Sequence, residues 1–107
     1  MATFINIDSS TLNLLADTET ITIVDVRSAE EVARGIIQGA LHIPLHQLPL
    51  HAHELDGENP LVFYCHSGIR SAQACSFMAS QGRENLFNLR GGVLGWSAAG
   101  FALELKR

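Results

Sequence analysis

The feature that most constrains this chain is the alternation of short apolar runs with segments of helical spacing. "FINI" (4–7), "ITIVDV" (21–26), "ALHIP" (40–44), "LVFY" (61–64) and "NLFNL" (85–89) have strand length and strand composition. "ITIVDV" and "LVFY" lack the polar alternation of a half-exposed strand, which is the mark of strands buried on both faces of a parallel sheet. Between these runs lie helical signals. Asp8 or Ser9 can cap a helix carrying Leu12, Leu14 and Leu15. Ser28 with Glu31 three residues later is a capping box, opening a short helix that ends near Gly35. Residues 46–56, with Leu48, Leu50 and Leu55, form an irregular helical segment interrupted by Pro49. Residues 71–80 place Ala74, Phe77 and Met78 on one helical face, closed by Gly82. Gly91 and Gly92 then turn the chain into a helix carrying Val93, Leu94 and Trp96. Strand and helix in alternation build βαβ units, so the expected class is α/β: a central parallel sheet of about five strands with helices on both faces. A chain of 107 residues is expected to form one domain, 1–107.

Charge narrows the partners. Seven Lys and Arg against eleven Asp and Glu give a net charge of −4, without the clustered basic excess of a nucleic-acid surface. No apolar run approaches the ~20 residues of a bilayer span. "MATFINIDSS" has neither the basic region nor the long apolar region of a secretory signal, so a cytoplasmic protein is expected. In a reducing compartment the two cysteines, Cys65 and Cys75, are expected as free thiols, each to be judged by its surroundings.

Those surroundings make Cys65 the centre of interest. "LVFY" delivers it to the carboxyl end of the strand expected at the centre of the sheet, where open α/β sheets bind ligands. His66, Ser67, Gly68, Ile69 and Arg70 follow, and Ser71 starts the next helix. The N–H groups of a loop entering a helix have no intrahelical partners and form an anion site, reinforced by the helix dipole. Gly68 lets the backbone curve closely, and the field that binds an anion also favours a thiolate over a thiol. Arg70 adds a permanent charge and a planar donor fork. The expected product is an activated nucleophile inside an anion-binding loop. A buried, inert cysteine at a strand end is the simpler reading of Cys65 alone; Gly68, Arg70 and the helix onset together oppose it.

The chain also resembles a known family. "CHSGIRS" is similar to the active-site loop of rhodanese-like (thiosulfate sulfurtransferase) domains, "DVRSAEEVARGIIQGALHIP" (25–44) to their first signature, and "LRGGVLGW" (89–96) to their C-terminal Gly-Gly and Trp segment. Three motifs in the family's order, spread over residues 25–96, span most of the chain. Ile36 stands where the family usually has His, Val32 where an aromatic is common, and His42 where Asn is common; all three lie outside the loop. The resemblance implies a single-domain sulfurtransferase without metal or organic cofactor. Its Cys65 would take the sulfane sulfur of a small anionic donor such as thiosulfate, hold it as a persulfide, and pass it to cyanide, a thiol or a protein. A sulfur carrier that binds a protein partner and turns over small molecules poorly is the alternative from another class. A phosphatase-like domain is a further one, set against by loop length, because phosphatase relatives carry one more residue between the cysteine and the arginine.

Several side chains have two readings. Ser67 and Ser71 either donate to the persulfide or shape the turn and cap the helix. His66 is either a base or an exposed residue tuning access, the latter being expected because ring N–H groups already activate the thiol. Ile69 is expected to anchor the loop through its apolar side chain. Asp25 and Arg27 are expected to form an ion pair at a buried strand end, with Arg27 also placed to pair with Glu31 at i, i+4, or alternatively to attract the donor. Cys75 and Trp96 are expected in the core, and Arg90 can line the pocket. His42, His46, His51 and His53 lack the spacing and companions of a metal site, so no metal is expected.

Overall fold

A computed structural model of the chain describes residues 3–105. Five strands, β1 (Phe4–Ile7), β2 (Thr22–Asp25), β3 (Leu41–His42), β4 (Leu61–Tyr64) and β5 (Leu86–Leu89), pair in parallel in the order β1-β5-β4-β2-β3. All four residues of β4 are buried, as its unbroken apolar sequence requires. Strand alternation splits them between two layers. Leu61, Phe63 and then Cys65 pack with Val24, Leu48, Ala74, Cys75 and Met78, beneath α3 (Leu48–His51) and α4 (Ile69–Ser80). Val62 and Tyr64 pack on the opposite face with Leu12, Val32, Val93 and Trp96, from α1 (Ser9–Thr18), α2 (Ala29–Val32) and α5 (Gly92–Ala98). Each of the Val, Leu, Phe and Met side chains among them contributes roughly 1.5–3 kcal/mol on burial. The sheet with helices on both faces is the architecture expected from the sequence.

Local chemistry explains the helix ends. The Asp8 carboxylate accepts from the Thr11 N–H at 2.8 Å. Ser28 and Glu31 form the reciprocal box, with Glu31 N–H donating to Ser28 Oγ at 3.2 Å and Ser28 N–H to Glu31 Oε1 at 3.1 Å. At the end of α4, Gly82 takes φ +87° while its N–H donates to Ala79 and that of Arg83 to Met78, the double bond of a Schellman stop.

Some boundaries and faces differ from the expectation. The run 40–44 pairs as a strand only over Leu41–His42, although the Ile43 and Leu45 N–H groups still donate back to Asp25 and Val26. Residues 46–56 contain three short turns, 3₁₀, α and 3₁₀, with Pro49 in the first turn of α3, where its missing N–H costs nothing. Helix α4 starts at Ile69, two residues earlier than the sequence suggested. Leu14, Leu50 and Leu94 are exposed rather than packed. The register sets Asp25 beside Tyr64, so β2 and β4 end together and present Arg27 and Cys65 at the same edge.

Candidate active site

The loop from Cys65 to Arg70 curls because of two glycines with different tasks. Gly68 takes φ +108° as the residue before α4, a conformation that L side chains rarely adopt. Behind the loop, the first N–H groups of α5 grip its carbonyls: Val93 N–H donates to Cys65 at 3.0 Å and Leu94 N–H to His66 at 3.2 Å. Gly92 makes that approach feasible, since a Cβ there would overlap the Cys65 carbonyl oxygen and stand 2.5 Å from that of His66. With its carbonyls held from behind, the loop is free to turn N–H groups toward the sulfur.

Cys65 Sγ accepts from Gly68 N–H at 3.1 Å and Ser71 N–H at 3.4 Å, and lies 3.4 Å from Ser71 Oγ. The residue is 1% exposed. Burial is the largest influence on the thiol and raises its pKa; the Ser71 hydroxyl and the N–H groups of Ser71, Gly68 and Ser67 lower it, and together they win, leaving it below the ordinary thiol value. Cys75 shows burial without such donors. It sits in the core with Phe87 C=O, at 3.4 Å, as its polar partner among the described residues, and desolvation pushes its thiol up to about 12.

The charged residues sort into two pairs. Arg27 donates to Asp25 through Nε and Nη2, the shortest contact being 2.7 Å, and its Nη2 also reaches Gly35 C=O at 2.6 Å. His42 Nε2 lies 2.8 Å from Arg27 C=O, so this nitrogen carries the ring proton and ties β3 to the turn after β2. The Asp25–Arg27 pair is thus as expected, but Arg27 does not pair with Glu31. Glu31 instead receives both arms of the Arg70 fork, at 2.7 and 2.8 Å, because Asp25 already occupies Arg27. Arg70 consequently braces the loop against α2, and its hydrogen bonds, ahead of those from Ser28, hold the Glu31 carboxyl down at about 2.

Ile69 corrects another expectation. It is 70% exposed, so its side chain anchors nothing; as the first residue of α4 it points outward while Ser71, Ala74 and Cys75 take the inner face. His66 and Ser67 are exposed, and Ser71 is fully buried. Arg27, Glu31, Arg34, His66, Arg70 and Val93 line a cleft next to the loop. Arg90 is exposed and not on its wall. Among the described residues, no three His, Cys, Asp or Glu side chains converge on a metal-sized site.

Sequence reasoning missed Asn88. This β5 residue is 4% exposed; its Oδ1 accepts the Ser71 hydroxyl at 2.5 Å, and its Nδ2 donates to Asn6 Oδ1 at 3.0 Å and Gly68 C=O at 3.3 Å. The signal was present, because Asn88 shares strand parity with buried Leu86 and is therefore a polar side chain on an apolar face.

A model of the family described as the rhodanese-like domain matches residues 9–99. The chain belongs to the rhodanese-like family. This rhodanese-like chain is 42% identical over 98 residues to a sulfurtransferase of Allochromatium vinosum, covering 91% of this chain and 92% of that protein. It is 32% identical over 90 residues to thiosulfate sulfurtransferase GlpE of Actinobacillus succinogenes, covering 84% and 81%. The crystal structure of a rhodanese-like domain protein from Staphylococcus aureus superposes with a TM-score of 0.86 at 28% identity, covering 96% of this chain and 99% of that one. The family expected from the three motifs is therefore shown, and so is its fold. Among the described residues, no helix is long and apolar enough to cross a membrane.

Proposed function

We propose that this chain, acting as one domain, is a thiosulfate sulfurtransferase with Cys65 as its nucleophile. The observation that carries the reading is the Gly68 and Ser71 N–H donation to a sulfur whose thiol lies below its ordinary value despite burial. The Cys65 thiolate attacks the sulfane sulfur of thiosulfate; a new S–S bond forms, the old one breaks, and sulfite leaves with the bonding electron pair. The outer persulfide sulfur is anionic, and the N–H donors of the loop stabilise it without reorganising. A thiophile (cyanide, a small thiol or a protein thiol) then attacks that outer sulfur and returns Cys65 as thiolate. Charge balance at the mouth favours an anionic donor: Asp25 with Arg27 and Glu31 with Arg70 are paired, and Arg34 on the cleft wall has no salt-bridge partner among the described residues.

Intact mass after incubation with thiosulfate tests the proposal. The parent is expected to gain one sulfur, about 32 Da, lost again on adding cyanide, while Cys65→Ala gains nothing. No gain in the parent would overturn it. Persulfide formation with negligible cyanide turnover but fast transfer to a protein thiol would reassign the chain as a sulfur carrier. Phosphate release from an aryl phosphoester would reassign it as a phosphatase.

A further inference from the structure

The hydrogen-bond chain behind Cys65 has a direction that can be worked out atom by atom. Gly68 C=O can only accept, so the end of the Asn88 amide facing it is the nitrogen. Its oxygen therefore faces Ser71 Oγ at 2.5 Å. Two acceptors cannot approach that closely without a proton between them, and the Ser71 hydroxyl has one proton to give. Ser71 Oγ thus presents a lone pair to the sulfur 3.4 Å away, and in that contact the donor is the Cys65 S–H.

This arrangement suits a neutral thiol; a thiolate requires the hydroxyl to turn, so that the charge faces its proton and not an oxygen lone pair. We propose that Asn88 is a positioning residue: it holds the Ser71 hydroxyl away from sulfur while Cys65 is protonated and releases it to donate when the sulfur becomes anionic. The proton that leaves Cys65 goes to solvent, and the hydroxyl rotates, exchanging its hydrogen bond to Asn88 Oδ1 for one to Sγ with no covalent bond broken. When the charge moves to the outer sulfur of a persulfide, the hydroxyl returns to Asn88. The same amide fastens Gly68 C=O, whose residue supplies the 3.1 Å N–H donor, so one side chain governs two of the sulfur's partners. Asn6, directly opposite on β1, takes the remaining Nδ2 hydrogen and keeps the amide from turning over. This inference rests on Cys65 being the nucleophile of the proposed reaction.

Other charges around the sulfur stay fixed in the comparison. On β2 and the turn after it these are Asp25 and Arg27, on α2 Glu31, on α4 Arg70, and at the cleft Arg34 and His66. None bonds to Asn88.

The test is the pH midpoint of Cys65 alkylation by iodoacetamide, followed by intact mass with no sulfur donor present. Asn88→Ala frees the hydroxyl and is expected to lower the midpoint by about half to one pH unit. Asn88→Asp holds the hydroxyl more tightly, adds negative charge, and is expected to raise it by about one unit, the scale of one hydrogen bond to a charged group. In a Ser71→Ala background, where only the hold on Gly68 C=O remains to be lost, Asn88→Ala is expected not to lower the midpoint. Midpoints that move in the same direction for both variants, or a lowering that survives Ser71→Ala, would overturn the proposal. Asn88→Ser, too short to span both partners, replaces Asn88→Ala with the same expected lowering if that variant fails to fold. Because this readout needs no thiosulfate, its failure is separable from failure of the sulfur-transfer reading, which the mass gain alone decides.

Discussion

Glu31 and Arg70, thirty-nine positions apart, meet through two parallel hydrogen bonds of 2.7 and 2.8 Å that join the first turn of α2 to the first turn of α4. The pair makes the position of the Cys65 loop depend on an ionised carboxylate. Because Glu31 is depressed from 4.5 to about 2, it stabilises the folded state fully above pH 4.5, and that stabilisation disappears as pH falls toward 2. Both side chains are partly exposed, so solvent screening limits the effect to about 1 kcal/mol. Glu31→Gln is expected to lose that much at neutral pH and to show a flatter stability profile between pH 4.5 and 2. Urea midpoints across this range check it; a variant with the parent's acid slope would remove Glu31 from the account.

The close approach of α5 to the loop predicts the effect of a single methyl group. Gly92→Ala places a carbon against the Cys65 and His66 carbonyl oxygens and also holds an L residue at φ +53°. Backbone must move, at a cost of about 2–4 kcal/mol, and the N–H donors should lose their aim at the sulfur. Gly39→Ala is the control: φ is +84° but nothing lies within 4 Å, so only the conformational cost of about 1 kcal/mol remains. Thermal unfolding of the two variants should separate strain from collision, and equal losses would show that the loop yields easily.

Arg27 and Asp25 offer a test of whether their pairing is structural. Both are buried, and Arg27 also holds Gly35 C=O. Arg27→Met leaves an unpaired carboxylate in the core and is expected to cost about 3–5 kcal/mol. The double variant Asp25→Leu with Arg27→Met should recover most of that loss. Chemical denaturation of the parent and the two variants decides the matter; a double variant no more stable than the single would mean that the bond to Gly35 matters more than the charge.

The features legible in the sequence were those set by near neighbours or by period. Strand β4 was legible because an unbroken "LVFY" suits only a strand covered on both sides, and the Ser28–Glu31 box because capping acts across three residues. The Cys65 loop was legible because Gly68 and the helix onset sit within a few positions of the thiol. Long-range partners were not. Spacing offered Arg27 to Glu31, while Arg70 comes from a different βα turn, and Arg27 was already consumed by Asp25 on its own strand. Ile69 misled because apolarity does not reveal on which side of a helix a residue starts. Asn88 was overlooked since its partners Ser71 and Asn6 come from α4 and β1, although its parity alone marked it as a buried amide in need of them.

The two thiols should respond to pH as if they belonged to different proteins. Cys65 ionises below the ordinary thiol range, whereas Cys75, desolvated and without N–H donors, is pushed up to about 12. Alkylation of the folded protein at pH 7 is therefore expected to add one adduct per chain, at Cys65, and Cys65→Ala should add none. The rate should climb through the Cys65 midpoint and level off before Cys75 begins to ionise. Ser71→Ala withdraws a donor from the thiolate and is expected to raise that midpoint by about one pH unit, slowing alkylation at pH 7 while the plateau rate at high pH is retained. A second adduct should form only in denaturant, when Cys75 leaves the core beneath α4. Labelling of Cys75 in the folded chain at a rate comparable to Cys65 would mean that the loop donors confer no advantage on the sulfur they surround.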